Sequence, residues 1–190
     1  MSENTSQSGA TLVEILVTLI IVGIMATAIY NLFRVHNLMA AKQDETTRMQ
    51  QELLSSLTQI AEDLRMCGYT TGGGNNGFNA TSNATTVICT KDPDLSSNST
   101  SLGYRFNSGN NTIDYLNATG GWEQAATNIS NVMFSYSNRN GTNIVVSGAN
   151  VGSIRAVDIA ITAVASPQRL QLNVGNRTMG TRIYCRNGGL

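Results

Sequence analysis

Few side chains in this sequence could carry out chemistry, and their spacing fits no catalytic or metal-binding pattern. The chain has one histidine, His36, and three cysteines, Cys67, Cys89 and Cys185. Zinc sites usually need paired Cys-x-x-Cys or histidine partners, which are missing here. We also find no Ser-His-Asp arrangement and no pair of carboxylates in a recognisable setting. We therefore expect no enzyme activity, no metal and no cofactor.

Two loops and the overall charge exclude further classes of ligand. The glycines of residues 72–77 are not followed by the Lys-Ser/Thr pair of a phosphate-binding loop. Asp92 and Asp94 lack the spacing of a calcium-binding EF-hand, so we expect a solvated turn there. The net charge is zero and only 13% of residues are charged, so we predict no nucleic-acid partner.

One carboxylate stands out because it lies inside an apolar run. The segment from Ala10 to Tyr30 is almost continuously apolar and long enough to cross a bilayer, yet it contains Glu14. A charge near the membrane end of a helix usually marks a functional pairing. A secretory signal peptide fits less well, since residues 1–9 contain no Lys or Arg and the apolar run is too long.

Residues 8–26, which read SGATLVEILVTLIIVGIMA, closely resemble the type IV prepilin signature. The resemblance implies that a prepilin peptidase cuts between Gly9 and Ala10 and that Ala10 becomes the N-methylated first residue. It also implies that Glu14 pairs with the N-terminal ammonium of a neighbouring subunit during filament assembly. Two opposite charges in hydrocarbon offset each other's desolvation, which makes this pairing physically reasonable.

Two further features narrow the resemblance to minor subunits. Ala10 stands where major pilins usually have phenylalanine. The segment Asp63–Tyr69 resembles the helix end of PilW-like minor pilins, with Cys67 replacing the usual alanine. The segments around residues 129–136 and 154–159 are similar to the sheet core of PilW-like and GspJ-like subunits.

The helical pattern continues after the apolar run. Residues 31–66 contain no proline or glycine and are rich in good helix formers. One apolar stripe recurs every three or four residues, while a set of charged residues is expected largely off it. The stripe comprises Met49, Leu53, Leu57, Ile60 and Leu64, and the charged set comprises Asp44, Glu45, Arg48, Glu52 and Asp63. Gly68 is placed to end the helix.

The rest of the chain has the pattern of a β-rich domain. Short bursts of β-forming residues predict strands at residues 85–90, 102–106, 112–116, 128–136, 154–164 and 181–187. Trp122, the only tryptophan, is expected in the core rather than at a partner surface. We predict an α+β, pilin-like fold, with a long N-terminal helix packed on an antiparallel sheet. Its parts are a leader (1–9), a membrane or filament-core helix (10–33), an amphipathic continuation (34–67) and an extracytoplasmic sheet domain (68–190).

Three cysteines permit one disulfide and leave one thiol over. A bridge is plausible if the domain is periplasmic. Cys67 with Cys89 is favoured slightly over Cys89 with Cys185. The sequence leaves both pairings open.

The resemblance implies a role in assembly. We expect a minor pilin of a type IV pilus, placed at or near the filament tip, that promotes polymerisation after its leader is cleaved. A GspJ-like minor pseudopilin of type II secretion is the alternative within the class, and a membrane-anchored periplasmic binding or adhesive domain is the alternative outside it. The implied partners are other pilins and minor pilins, the prepilin peptidase, an assembly ATPase, the inner-membrane assembly platform and membrane lipid. The protein would cross the inner membrane once, leader in the cytoplasm and domain in the periplasm, before entering an extracellular filament.

Overall fold

The computed structural model describes residues 11–68, 77–91 and 100–185. Contacts divide the chain into two compact units, residues 1–43 and residues 44–190. The predicted leader, the cleavage site between Gly9 and Ala10, most of the glycine-rich loop and the turn at Asp92 and Asp94 lie outside the described residues.

Within the described residues one α-helix, α1, runs from Leu12 to Arg65 and contains 54 residues. It continues without interruption because its sequence contains no proline and only one glycine, Gly23. In the second unit its predicted apolar stripe is confirmed. All five stripe residues are buried, namely Met49, Leu53, Leu57, Ile60 and Leu64. This face of α1 therefore forms one side of the hydrophobic core.

Glu45 corrects one sequence-based prediction. It was expected off the apolar stripe but is only 1% exposed. It lies one helical turn before Met49 and therefore extends the buried row. Its Oε1 accepts the Ser166 backbone N–H at 2.8 Å, and its Oε2 lies 3.6 Å from Nε of Arg169. Its helical position, four residues before Met49, puts it on the buried face of α1. Only the contacts with the loop at 165–169 explain why a carboxylate can be buried there.

In residues 77–91 and 100–185, eight strands follow α1 and form two four-stranded sheets in which every pairing is antiparallel. The strands are β1 (Thr86–Lys91), β2 (Thr100–Asn107), β3 (Thr112–Leu116), β4 (Trp122–Ala126), β5 (Ile129–Ser137), β6 (Asn143–Ile144), β7 (Ala156–Ala163) and β8 (Arg177–Tyr184). The first sheet has the order β1-β2-β3-β4 and the second has the order β6-β5-β7-β8. The described loops of the second sheet contain two short 3₁₀ helices, Val151–Ser153 and Pro167–Leu172.

The predicted α+β fold class is confirmed, with two sheets where the sequence suggested one. Six predicted strands correspond to observed ones, and β4 and the two-residue β6 were missed. The last strand spans 177–184 instead of the predicted 181–187. The start of this strand was predicted too late because β8 is largely exposed and has no run of buried residues that would mark its first half.

Alternating side chains build the core between α1 and the sheets. On β5 the residues Val132, Phe134 and Tyr136 are each at most 3% exposed, and the intervening Asn131, Met133 and Ser135 are more accessible. On β7 the buried face includes Val157, Ile159 and Ile161. These residues belong to one cluster with the apolar stripe of α1. The two-residue period is that of strands with one buried face.

Trp122 corrects a second prediction, because it does not pack in the core. It begins the edge strand β4 and is half-buried, and the Arg105 guanidinium lies 4.5 Å from the centre of its ring. Arg105 in turn donates from Nη2 to the buried Asp114 at 3.1 Å. A cation–π contact with a fixed arginine thus holds the tryptophan on the outer face of the first sheet.

Candidate functional site

The first turn of α1 fixes the position of Glu14. Thr11 directly precedes the helix, and its carbonyl accepts the first helical hydrogen bond, from the Ile15 N–H at 3.2 Å. The Glu14 N–H donates to the Thr11 hydroxyl at 3.3 Å, and the Thr11 N–H donates to Oε2 of Glu14 at 3.2 Å. This reciprocal pair is a capping box, which satisfies two N–H groups that a helix start would otherwise leave unpaired.

The capping box determines which oxygen of the Glu14 carboxylate can still accept a hydrogen bond. Oε2 of Glu14 is engaged by Thr11, while Oε1 accepts no hydrogen bond from any residue in the described ranges. The positive end of the helix dipole favours a negative charge at this position. Glu14 is therefore held as an acceptor with one oxygen available to a donor from another molecule, such as an ammonium group.

Our sequence analysis identified Glu14 but missed Thr11. The signal was present, since Thr11 and Glu14 have the Thr-x-x-Glu spacing that precedes many helices. From the sequence alone, Glu14 was interpreted only as a charge in an apolar run. The structure shows that the same acid also closes the start of its own helix.

The helix surface beyond Glu14 is apolar and unburied within the first unit. Its large hydrophobic side chains are exposed from Leu12 to Phe33. These 22 positions would span about 33 Å, close to the hydrocarbon thickness of a bilayer. One helix of the described chain, α1, is long and apolar enough to cross a membrane. A lipid or protein environment must therefore cover this surface.

The hydroxyl groups of the two threonines within this apolar run are satisfied by the helix itself. Thr18 lies within 3.0 Å of the Glu14 carbonyl and within 2.8 Å of the Ile15 carbonyl. Thr27 donates to the Gly23 carbonyl at 2.9 Å. A hydroxyl that bonds its own backbone avoids the cost of an unpaired polar group in an apolar environment. Glu14 is thus the one charged side chain between Leu12 and Phe33.

The C-terminal end of α1 is fastened to the first sheet. Cys67 and Cys89 form a disulfide with Cα atoms 5.6 Å apart, which is one of the two pairings that the sequence left open. Gly68 has a φ of 76°, which suits glycine as a helix stop. Its N–H donates to the Thr90 carbonyl at 2.9 Å. The helix end and β1 therefore form one covalently linked corner of the second unit.

Near the same corner, the Asp63 carboxylate bonds to side chains on two strands, β1 and β2. Asp63 accepts the Lys91 ammonium at 3.0 Å and the Tyr104 hydroxyl at 2.5 Å. Burial, and then this hydrogen bond, raises the pKa of Tyr104 well above its usual value. About three turns toward the N-terminus, Glu52 accepts both the N–H and the hydroxyl of Thr127 at 3.0 Å. Glu45, Glu52 and Asp63 thus help to dock the helix on its domain.

The remaining candidate residues do not form a reactive group. Cys185 is a free, buried thiol whose pKa burial raises to about 11, so the reactive thiolate is scarce at neutral pH. His36 is exposed on α1. In the part of the chain that the structure describes, no three His, Cys, Asp or Glu side chains are grouped to hold a metal ion.

Comparison with known proteins bears on the N-terminal segment alone. Residues 4–30 match a family model described as the prokaryotic N-terminal methylation motif. The match includes the capping box of Thr11 and Glu14 and most of the apolar surface described above. No curated protein sequence matches the chain. The motif, together with the α+β fold, supports a type IV pilin-like prepilin that is processed by prepilin peptidase, anchored in the inner membrane and assembled with other pilins.

Proposed function

We propose that this protein is a minor pilin of a type IV pilus system, incorporated at or near the filament tip, where it promotes assembly. Its leader would be removed between Gly9 and Ala10, with N-methylation of Ala10. The protein would act through binding and not through catalysis. The observation that carries the proposal is Glu14, which is fixed by Thr11 with one oxygen free on an otherwise apolar helix.

The exposed apolar surface of α1 would be covered by different molecules before and after assembly. Before assembly, lipid would cover the exposed side chains from Leu12 to Phe33. In a filament, the corresponding helices of neighbouring subunits would replace the lipid. The charge on Glu14 is costly in either setting unless a cation meets it. The new ammonium group at Ala10 of a neighbouring subunit is such a cation, and Oε1 of Glu14 is free to receive it.

The assignment to a minor pilin rests on finer features. Ala10 replaces the phenylalanine usual in major pilins, and Asp63–Tyr69 resembles the helix end of PilW-like subunits. A GspJ-like minor pseudopilin of type II secretion would use the same N-terminal segment, so Glu14 supports both. The two alternatives differ in the machine that assembles them. Recovery of the protein from purified surface pili, and not from a secretion pseudopilus, would support the pilus assignment.

The processing step is tested by the mass of the N-terminal peptide from the protein isolated from membranes. We expect a peptide that begins at Ala10 and carries one methyl group. An intact Met1, or a cut after the apolar run, would contradict the proposal.

The assembly step is tested with Glu14→Gln. The glutamine keeps an oxygen for the Thr11 N–H, so the cap is preserved while the charge is removed. Glu62→Gln makes the same chemical change at an exposed site on α1 and serves as the control. We expect the fraction of protein in sheared filaments to fall at least tenfold for Glu14→Gln and to stay unchanged for Glu62→Gln. Equal incorporation of both variants would overturn the role proposed for Glu14, and absence of the wild-type protein from sheared filaments would instead favour a membrane-anchored binding domain.

A further inference from the structure

Among the residues that the structure describes, the outer edge of β8 has a row of backbone groups without a hydrogen-bond partner. The Cys185 N–H donates to the Arg155 carbonyl, on the side of β7. Since backbone groups alternate along a strand, the N–H and C=O groups of Thr178, Gly180, Arg182 and Tyr184 point away from β7. Within the described ranges β8 has no strand neighbour other than β7. The edge therefore offers four consecutive outward positions for hydrogen bonding.

This edge is regular over its whole length. β8 pairs with β7 residue by residue from Arg177 to Tyr184, without a register shift. It contains no proline, and proline is one of the devices that block strand addition at exposed edges. Its Arg182 is held by Asp158 on the neighbouring strand at 2.7 Å, and its Thr178 hydroxyl lies 2.9 Å from that of Thr162. These side-chain contacts join β8 to β7 near both ends of the strand.

The other sheet edges in the described ranges are less suited to strand addition. β4 pairs with β3 through a register shift between Ile113 and Asp114. At β1, Phe78 forms a bridge opposite Cys89. β6 has only two residues. β8 is therefore the longest regular edge that the described structure leaves open.

A groove beside this edge can receive side chains. It has a volume of about 520 Å³ and lies between α1 and β8. Its lining residues are Thr47, Gln50, Gln51, Leu54, Arg177, Thr178 and Met179. Leu54 is 57% exposed. The lining contains one arginine and no carboxylate, so the groove suits an apolar side chain next to an acidic one.

We propose that β8 receives an extended segment of another subunit of the same filament by β-strand addition. Only an extended backbone matches a row of alternating donors and acceptors. One side chain of the added strand would contact Leu54 and Met179, and an acidic side chain would lie beside Arg177. This inference rests on the proposed function, because it takes the partner from the filament.

The test compares Thr178→Pro with Thr178→Ala in the full-length protein in its membrane. Both variants lose the hydroxyl contact with Thr162. Only the proline removes an outward N–H, and it leaves the bonds between β7 and β8 intact. Tyr184, which is 67% exposed beside the edge, is replaced by p-benzoylphenylalanine as a photo-crosslinker. Equal urea midpoints for the two variants establish that the fold is retained.

We expect a cross-link to a different protein that carries its own N-terminal methylation motif, mapped to an extended segment. The yield should fall at least tenfold in Thr178→Pro and less than twofold in Thr178→Ala. Equal yields in both variants, cross-links only to a second copy of this chain, or no cross-link would overturn the inference. If the wild-type protein enters filaments while the yields are equal, the strand addition alone is wrong. If it never enters filaments, the proposed function is wrong.

Discussion

Replacement of Tyr104 by phenylalanine tests how strongly α1 is docked on its domain. Tyr104 is 1% exposed, and its hydroxyl donates to Oδ2 of Asp63 on the helix. Phenylalanine keeps the ring in the core and removes only the hydroxyl group. Lys91 continues to hold Oδ1 of Asp63 at 3.0 Å. The variant therefore measures one hydrogen bond between the helix and the first sheet.

The size of the effect follows from the charge and exposure of the acceptor. A hydrogen bond to a charged group contributes about 1.5–3 kcal/mol to the free energy of unfolding. The Asp63 side chain is 23% exposed, so water replaces part of the lost bond. We expect a loss of about 1.5–2 kcal/mol, toward the lower end of that range. With a urea m-value of about 2 kcal/mol/M, the midpoint would fall by about 0.8–1 M.

Tyr115→Phe is the matched control. The Tyr115 ring centre lies 5.8 Å from that of Tyr104, and its hydroxyl has no hydrogen bond to any residue in the described ranges. The assay is urea unfolding of the full chain in detergent micelles, followed by circular dichroism and by the fluorescence of Trp122. If the two variants have midpoints within about 0.2 M of each other, the hydrogen bond to Asp63 does not stabilise the fold and our reasoning is wrong.

The same variant predicts a dependence on alkaline pH. Burial, followed by the hydrogen bond and charge of Asp63, raises the pKa of Tyr104 in the folded protein. Its contribution to stability is therefore complete below the unfolded pKa, about 10, and is lost as the pH rises toward the folded value. The difference in unfolding free energy between wild type and Tyr104→Phe should shrink between pH 9 and pH 11. A constant difference over that interval would contradict the assignment.

Three further predictions concern the second unit. Replacement of both Cys67 and Cys89 by alanine should lower the free energy of unfolding by about 3 kcal/mol, because the bridge closes a loop with a sequence separation of 22. Urea unfolding measures this loss, and a loss below 1 kcal/mol would refute the prediction. Cys185, buried with a pKa of about 11, should react with a thiol reagent at pH 8 only after unfolding; rapid labelling of the native chain would show that it is accessible. Leu53→Ala should destabilise the fold by about 2–5 kcal/mol, because Leu53 is buried, whereas Leu54→Ala at the exposed neighbouring position should cost under 1 kcal/mol. Similar urea midpoints for the two variants would refute this orientation of α1.

The sequence predicted the local features of the fold because they depend on periodicity and residue type. The stripe from Met49 to Leu64 follows the helical period, and the buried residues of β5 and β7 follow the strand period. Gly68 ends the helix as its freedom at positive φ suggests. In each case the order of apolar and polar residues within a single helix or strand indicates which of its faces is buried.

The same reasoning failed where a residue's environment comes from distant parts of the chain. Glu45 is buried because the N–H of Ser166, 121 residues later, satisfies its carboxylate. Trp122 lies outside the core because Arg105 on another strand holds its ring. The exposed strand β4 was missed because it buries only Ala126 and thus lacks the alternation that marks a half-buried strand.

The sequence by itself determined that a charged residue lies in an apolar helix and that this helix continues as an amphipathic one. The tertiary structure decided how the cysteines pair, how many sheets form and which strand is left at an edge. The physical reason is that hydrophobic periodicity acts within a single element. Pairing and edges depend on contacts between residues far apart in the chain, and those contacts exist only once the chain has folded.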